Sequence, residues 1–208
     1  MPSMSSTRPQ IILASASPRR RELLQQIGVQ FRVVVSNSEE TPASGEAAVD
    51  YVRRVALAKA RAVWQRLPPD ARCPVLGADT EVVLDGAILG KPADRNAGLA
   101  MLERLSGRTH EVLSAVALVY GDSEALRVSR SVVSFRTTTP HERETYWNSG
   151  EPTGKAGGYA VQGLGAVFIN KLDGSYSGVM GLPIFETAEL LREFGIEVLM
   201  SGSREAKK

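Results

Sequence analysis

Apolar residues along this chain follow two periods, and the two alternate from end to end. Ile11, Ile12 and Leu13 form a short apolar run that predicts a strand. Ser17-Pro18 comes next. Serine is a favoured helix N-cap and proline suits the first helical position, so a helix is predicted from Ser17. Phe31 to Val35 reads as a short strand. From Glu46 to Arg66, Val49, Val52, Ala56, Ala60 and Val63 recur at helical spacing, and Pro68-Pro69 ends that helix before a strand at Pro74 to Leu76.

The second half continues the alternation. Asp85-Gly86 between apolar stretches predicts a hairpin, with Asp79-Thr80 at the mouth of one arm and Gly90-Lys91 at the end of the other. Asp94 can cap a helix running to Leu105, closed by Ser106-Gly107. Two long strands, His110 to Tyr120 and Ala125 to Phe135, flank the turn at Gly121-Asp122. Thr139-Pro140-His141-Glu142 fits a capping box for a helix that stops at Gly150. A glycine-rich segment occupies residues 154 to 165, a second Asp-Gly hairpin is predicted at Asp173-Gly174, and Pro183 starts a final helix towards Phe194. Long antiparallel strands among helices make the expected fold class α/β, with a mixed, strongly curved sheet.

Composition narrows the function classes. A chain of 208 residues is one large domain or two intimate lobes, with ample length for a core. The net charge of +2 is too small to argue for nucleic-acid or membrane binding as a bulk electrostatic effect. One cysteine, Cys73, precludes an internal disulfide and suits a reducing compartment, so a cytoplasmic location is expected. With two histidines beside it, a structural zinc site is not expected. No run approaches the roughly 18 apolar residues of a membrane span, and MPSMSSTRPQ lacks the apolar core of a signal peptide.

Charged residues at particular places carry the chemistry. A strand, a tight loop, a helix N-terminus and Arg19, Arg20 and Arg21 together can make a site for a phosphate chain; the alternative is a solvated basic turn. Lys59 falls inside the apolar stripe of its helix, where it must snorkel out or meet an anion. Glu40, Asp79, Lys91 and Lys155 stand near element ends or in loops. Carboxylates and several cations, without a Ser–His or Cys–His pair, favour hydrolysis of a phosphoanhydride. Cations neutralise the phosphates while a carboxylate binds a divalent metal or takes a proton from water.

The segments LASASPRR, GADTEVV, LGKP, LSGRTHEV and GYAVQGLG, in this order, resemble the motifs of the Maf family of nucleotide pyrophosphatases. The likeness runs from about Ile11 to Phe194. It implies an inosine-triphosphate-pyrophosphatase-like fold: a curved mixed β-sheet flanked by helices, two lobes around a deep cleft, in a single domain over residues 9–200. Residues 1–8 and 201–208 read, from their own sequence, as flexible ends. The implied reaction cleaves a nucleoside triphosphate between its α and β phosphates, giving the monophosphate and pyrophosphate, with Mg2+ or Mn2+ as cofactor. No nucleic acid or membrane is implied as a partner, and a homodimer is a candidate assembly.

Carried over by position, the resemblance makes Asp79 the proton acceptor and sets Lys59, Lys91 and Glu40 beside it as catalytic residues. Asp79 and Glu40 are the implied metal ligands, with Glu39 the alternative if the register slips by one. Ser15, Arg19, Arg20 and Lys155 fall to the substrate, together with Thr80 and Gln162. Arg19, Thr80 and Gln162 match the branch of the family that acts on thymidine and uridine triphosphates. Glu81 departs from the pattern, which more often has an apolar residue there; the expectation is a solvent-facing carboxylate, with a second metal ligand as the alternative. Two rivals stay open: a non-catalytic nucleotide-binding regulator of cell division and septum formation, and a purine-specific pyrophosphatase of the same fold.

Overall fold

A computed structural model describes residues 9–38 and 40–199, so Glu39 and the expected flexible ends lie outside the described residues. The strands are β1 (Ile11–Leu13), β2 (Phe31–Val33), β3 (Val75–Leu84), β4 (Ala87–Ile88), β5 (Thr109–Tyr120), β6 (Ser123–Phe135) and β7 (Ile169–Asp173). They form one seven-stranded sheet in the order β2-β1-β3-β5-β6-β7, with β4 also on β3. β1 pairs parallel with β2 and β3, and the remaining pairs are antiparallel. The sheet is therefore mixed, as expected. Helices α1 (Pro18–Gln26), α2 (Ala48–Trp64), α3 (Arg95–Leu105), α4 (Pro140–Asn148), α5 (Tyr176–Met180) and α6 (Ile184–Glu193) pack around it.

Local signals place most of these ends. Asp94 Oδ1 accepts the Ala97 N–H at 2.8 Å and starts α3. Both halves of the Thr139–Glu142 capping box are present on α4. Two expectations need correction. The strand expected over Pro74 to Leu76 runs on to Leu84, so Asp79 lies inside a strand and not at the mouth of a turn. Asp173-Gly174 makes no hairpin, because β7 ends at Asp173 and Ser175 Oγ then accepts the Gly178 N–H to cap α5.

Alternation along β3 explains how the core divides. Its odd positions face α2: Val75 and Val83 pack with Val52, Val55, Val63 and their neighbours. Gly77 lies so close that a Cβ there would stand 2.2 Å from the Ala56 carbonyl oxygen. Its even positions face the other helices and serve two separate clusters. Leu76 and Ala78 pack with Leu24 and Leu190 of α1 and α6, whereas Val82 and Leu84 pack with Leu102, Leu105 and Tyr146 of α3 and α4. Between the two clusters stands a polar pair, Thr80 Oγ1 and Ser114 Oγ, 2.9 Å apart on neighbouring strands. The apolar core thus has a polar waist.

A gap in the sheet lies at the same waist. β5 occupies one edge of β3 from Val75 to Val83. On the other edge β1 reaches only Val75 and Leu76, and β4 reaches only Val83 and Leu84. From Ala78 to Glu81 no strand among the described residues covers that edge, and side chains from both faces of β3 can reach one cleft there.

Candidate active site

The cleft has a volume of about 400 Å3 and brings together Ser15, Arg19, Arg20, Glu40, Lys59, Asp79, Thr80, Lys91, Lys155 and Gln162. All ten site residues expected from the sequence line it. Arg21, the third arginine of the run, is exposed and does not line it. These ten come from five stretches of chain: the β1–α1 loop with the first turn of α1, the loop before α2, α2 itself, β3 with the strand return after it, and the glycine-rich stretch after α4. The end of α5 and the turn after it also line the cleft.

The phosphate end is built on α1. Proline at N1 starts the helix, and the Ser17 N–H donates to Ser15 Oγ at 3.2 Å, which fixes the turn. Arg20 Nη1 donates to the same Ser15 Oγ at 3.2 Å, and its Nε donates to the Gly181 carbonyl at 2.8 Å. Thr80 Oγ1 donates to that carbonyl too, at 3.3 Å. Gly181 has φ 125°, a conformation a side chain would resist. The turn after α5 therefore ties the arginine helix to the waist of β3, a contact that no local pattern marks. Burial, and then the charge of Arg19, pull the Lys155 ammonium below its ordinary pKa. Two like charges held near each other in a cleft favour an anion between them.

At the other end, carboxylates and lysines alternate. Lys59 Nζ lies 2.8 Å from Asp79 Oδ1 and 2.9 Å from Glu40 Oε1, and Lys91 Nζ lies 3.2 Å from Glu40 Oε2. Lys59 does not snorkel; its side chain is 7% exposed and meets two anions. Glu40 is held further by its own backbone, whose carbonyl accepts the Tyr51 hydroxyl at 2.8 Å. Burial raises the Glu40 carboxyl, but hydrogen bonds and charge from Lys59 and Lys91 outweigh it, and its pKa lies below the usual range. Asp79, 4% exposed, leaves Oδ2 buried with no hydrogen-bond partner.

Glu81 overturns the solvent-facing expectation. It is 7% exposed, lines the same cleft two residues along β3 from Asp79, and its Oε2 is also buried without a partner. Burial, and then the Asp79 carboxylate, push its pKa up to about 8. The sequence marks Glu81 only as a departure from the family pattern; with GADTEVV read as a turn followed by an apolar run, nothing local places it inside the cleft.

The glycine-rich stretch takes its shape from residues that sequence reasoning passed over. Glu151 Oε1 accepts the Tyr146 hydroxyl at 2.7 Å and the Gly165 N–H at 2.9 Å, while Oε2 accepts the Leu164 N–H at 2.9 Å. The Tyr146 oxygen in turn accepts the Ala160 N–H at 3.1 Å, and Lys155 Nζ donates to the Glu151 carbonyl. These bonds hold the segment that carries Lys155 and Gln162 over the cleft. Tyr159, at the cleft wall, shares a 2.8 Å hydrogen bond with buried His110 Nε2.

The donor set suits a hard divalent cation. Among the described residues no three His, Cys, Asp or Glu side chains form a ready-made metal cage. The unpartnered Asp79 oxygen fits the other usual arrangement, in which one or two carboxylates and the substrate's phosphates share the ion.

A family model for Maf-like proteins matches residues 10–194. The chain belongs to the Maf family. Curated relatives agree along nearly the whole length. A dTTP/UTP pyrophosphatase of Bordetella avium (strain 197N) is 54% identical, covering 90% of this chain and 96% of its own. A dTTP/UTP pyrophosphatase of Methylococcus capsulatus (strain ATCC 33009 / NCIMB 11132 / Bath) is 56% identical, covering 89% and 91%. Among solved structures, the Staphylococcus aureus Ham1 protein aligns with 60% of this Maf chain and 70% of its own, at 17% identity and a TM-score of 0.39.

His110 belongs to one of the Maf-like segments, and its burial has a measurable consequence. Burial lowers its pKa from 6.5 to about 4. The unfolded chain binds this proton from about pH 6.5 downwards and the folded chain only near pH 4, so stability falls with pH across that window. The group accounts for about 2 kcal/mol between pH 7 and pH 5. Urea denaturation at the two pH values, for wild type and His110→Gln, should show that much less pH dependence in the variant. An equal dependence in both would mean that His110 protonates freely in the fold.

Proposed function

We propose that this protein hydrolyses dTTP and UTP at the α–β anhydride bond, releasing the nucleoside monophosphate and pyrophosphate, in the cytoplasm and with a divalent cation. The observation that carries this reading is the cleft itself. Arg19, Arg20 and Lys155 stand at one end, a buried carboxylate paired to a lysine at the other, and among the described residues neither a histidine nor a cysteine lines the cleft to make an activated nucleophile. The names of the curated Maf relatives support the choice of substrate.

Each residue's part follows from its surroundings. Arginine matches phosphate oxygens bidentately, and the N-terminus of α1 adds free backbone N–H groups and a favourable dipole to Arg19 and Arg20. Lys59 holds Asp79 through Oδ1, leaving Oδ2 to accept a proton from the attacking water. The water oxygen bonds to phosphorus, the α–β anhydride bond breaks, and the pyrophosphate leaves with its charge balanced by the cleft's cations. Glu40 holds Lys59 and Lys91 in place. Carboxylates of this cleft (Asp79 and Glu40 in the resemblance) would hold a divalent cation together with the triphosphate, and the ion would supply further neutralisation of phosphate charge.

Product analysis tests the reading. Turnover of dTTP or UTP with Mg2+ or Mn2+ should give monophosphate and pyrophosphate in equal amounts. Diphosphate with orthophosphate would place cleavage at the terminal bond and reject it. Absence of any turnover would favour the non-catalytic regulator, and a preference for inosine triphosphate the purine enzyme.

Base choice and phosphate binding should separate by residue. Gln162 lines the exposed side of the cleft, and its amide can offer one donor and one acceptor to the carbonyl–imide edge of a pyrimidine. Gln162→Ala should narrow the preference for dTTP over GTP by about 1 kcal/mol, or some fivefold in kcat/KM. Arg20→Ala should weaken all triphosphates alike. The reverse pattern, with Arg20 altering base choice, would refute this assignment.

A further inference from the structure

The cleft contains a carboxylate for which the residues expected from the sequence leave no task. Glu40 has one oxygen on Lys59 and the other on Lys91, so both are committed to cations of the protein. Asp79 has one oxygen on Lys59 and only Oδ2 without a partner, the oxygen assigned above to the proton of water. That leaves little carboxylate capacity for a divalent ion. Glu81 supplies it.

We propose that Glu81 is a protein ligand of the divalent cation in this enzyme, holding the ion beside Asp79 at the open edge of β3. Three observations carry this. Glu81 and Asp79 are two residues apart on one strand, so their side chains leave the same face, and both line the cleft. Each is more than nine-tenths buried and each has one buried oxygen with no hydrogen-bond partner. Buried acceptors normally find donors, and Glu81 Oε2, left without one beside a second carboxylate, marks a place for a cation. Finally, Glu81 can be approached from two sides. A second cavity of about 310 Å3, lined by Tyr51, Ile88 and Leu89 among others, shares Glu40, Glu81 and Lys91 with the main cleft. A hydrated ion thus has a way to Glu81 that does not cross the phosphate-binding arginines.

A purely structural role does not account for the side chain. Oε2 bonds to nothing in the fold, and the position faces a like charge across one residue. An apolar side chain of similar length would serve packing better.

This inference rests on the proposed divalent-cation chemistry, but it can be tested without turnover. Chelator-treated protein, free of nucleotide, is titrated with Mn2+ while free Mn2+ is followed by its paramagnetic resonance signal. Wild type should bind one ion. Glu81→Gln, which keeps shape and loses charge, should bind it at least about tenfold more weakly, because losing a ligand costs no less than losing a residue that orients one. Mn2+ should raise the Tm of wild type more than that of the variant, while the metal-free variant should melt no lower than metal-free wild type. If Glu81→Gln does not fold, Glu81→Asp gives the same reading, since the shortened carboxylate should weaken Mn2+. Binding equal to wild type in a folded variant, or no binding by wild type, overturns the proposal. So does a metal-free Tm that falls with Mn2+ affinity unchanged. Release of pyrophosphate is measured separately, so a chain that binds Mn2+ through Glu81 and releases none would reject the pyrophosphatase reading alone.

Discussion

Asp79→Asn should fold normally and lose at least about 100-fold in the rate of pyrophosphate release, the range expected when a general base is removed. The substitution changes few atoms. Asparagine Oδ1 can still accept from Lys59, and Lys59 keeps Glu40 at 2.9 Å. What disappears is the basic oxygen at Oδ2, buried and without a partner in the fold, since an amide nitrogen cannot take a proton from water. A loss of 100-fold corresponds to about 2.7 kcal/mol of transition-state stabilisation. The decisive measurement is kcat at saturating dTTP or UTP, with Tm recorded on the same preparation. A folded variant with near-normal kcat would remove proton transfer from Asp79 and leave Glu40 and Glu81 as the cleft's remaining carboxylates.

How much of this was legible in the sequence depends on how local each signal is. The start of α1 at Ser17-Pro18, the cap at Asp94 and the box at Thr139 involve residues within four positions of one another, and each appears where expected. Lys59 was legible as an anomaly, a cation on an apolar stripe; what it meets comes from β3 and from the loop before α2, so only the fold could settle it. Asp79 was misplaced for a physical reason. GADT reads as a turn because glycine and aspartate usually stand in turns. Here Gly77 is required by its contact with the Ala56 backbone, and Asp79 is tolerated in a strand because a lysine awaits it. The same strand hid the burial of Glu81, a residue legible only as a departure from the family pattern, because that burial depends on how far β1 and β4 extend along an edge. At Asp173-Gly174 the two-residue hairpin signal was present, but the next residues, Ser175 and its successors, form a helix cap instead of a returning strand. The Glu151–Tyr146 network went unseen because it joins α4 to the glycine-rich stretch through bonds that leave no periodic trace.

Lys59→Met should have the largest effect on stability within the site, and its cause can be isolated by one further substitution. Methionine keeps the unbranched stem that packs on the α2 stripe and removes the charge. Among the described residues Asp79, 4% exposed, then has no cation within salt-bridge distance, and Glu40 retains only Lys91. Breaking a buried pair by removing one partner costs about 3–5 kcal/mol, because the surviving charge is left uncompensated. The lower end applies here, since the gap beside β1 and β4 leaves Asp79 facing a cleft that water can enter. Urea denaturation should therefore show Lys59→Met about 3 kcal/mol less stable than wild type. Adding Asp79→Asn removes the stranded charge, so the double variant should recover most of that loss. The two substitutions are thus strongly non-additive in stability. In activity they should not compensate at all, because neither change restores a basic oxygen held in place. If Lys59→Met proved as stable as wild type, the pair would be contributing nothing to the fold, and Lys59 would be present for the substrate alone. If the double variant were less stable than either single one, the loss would come from packing on α2 and not from the charge on Asp79.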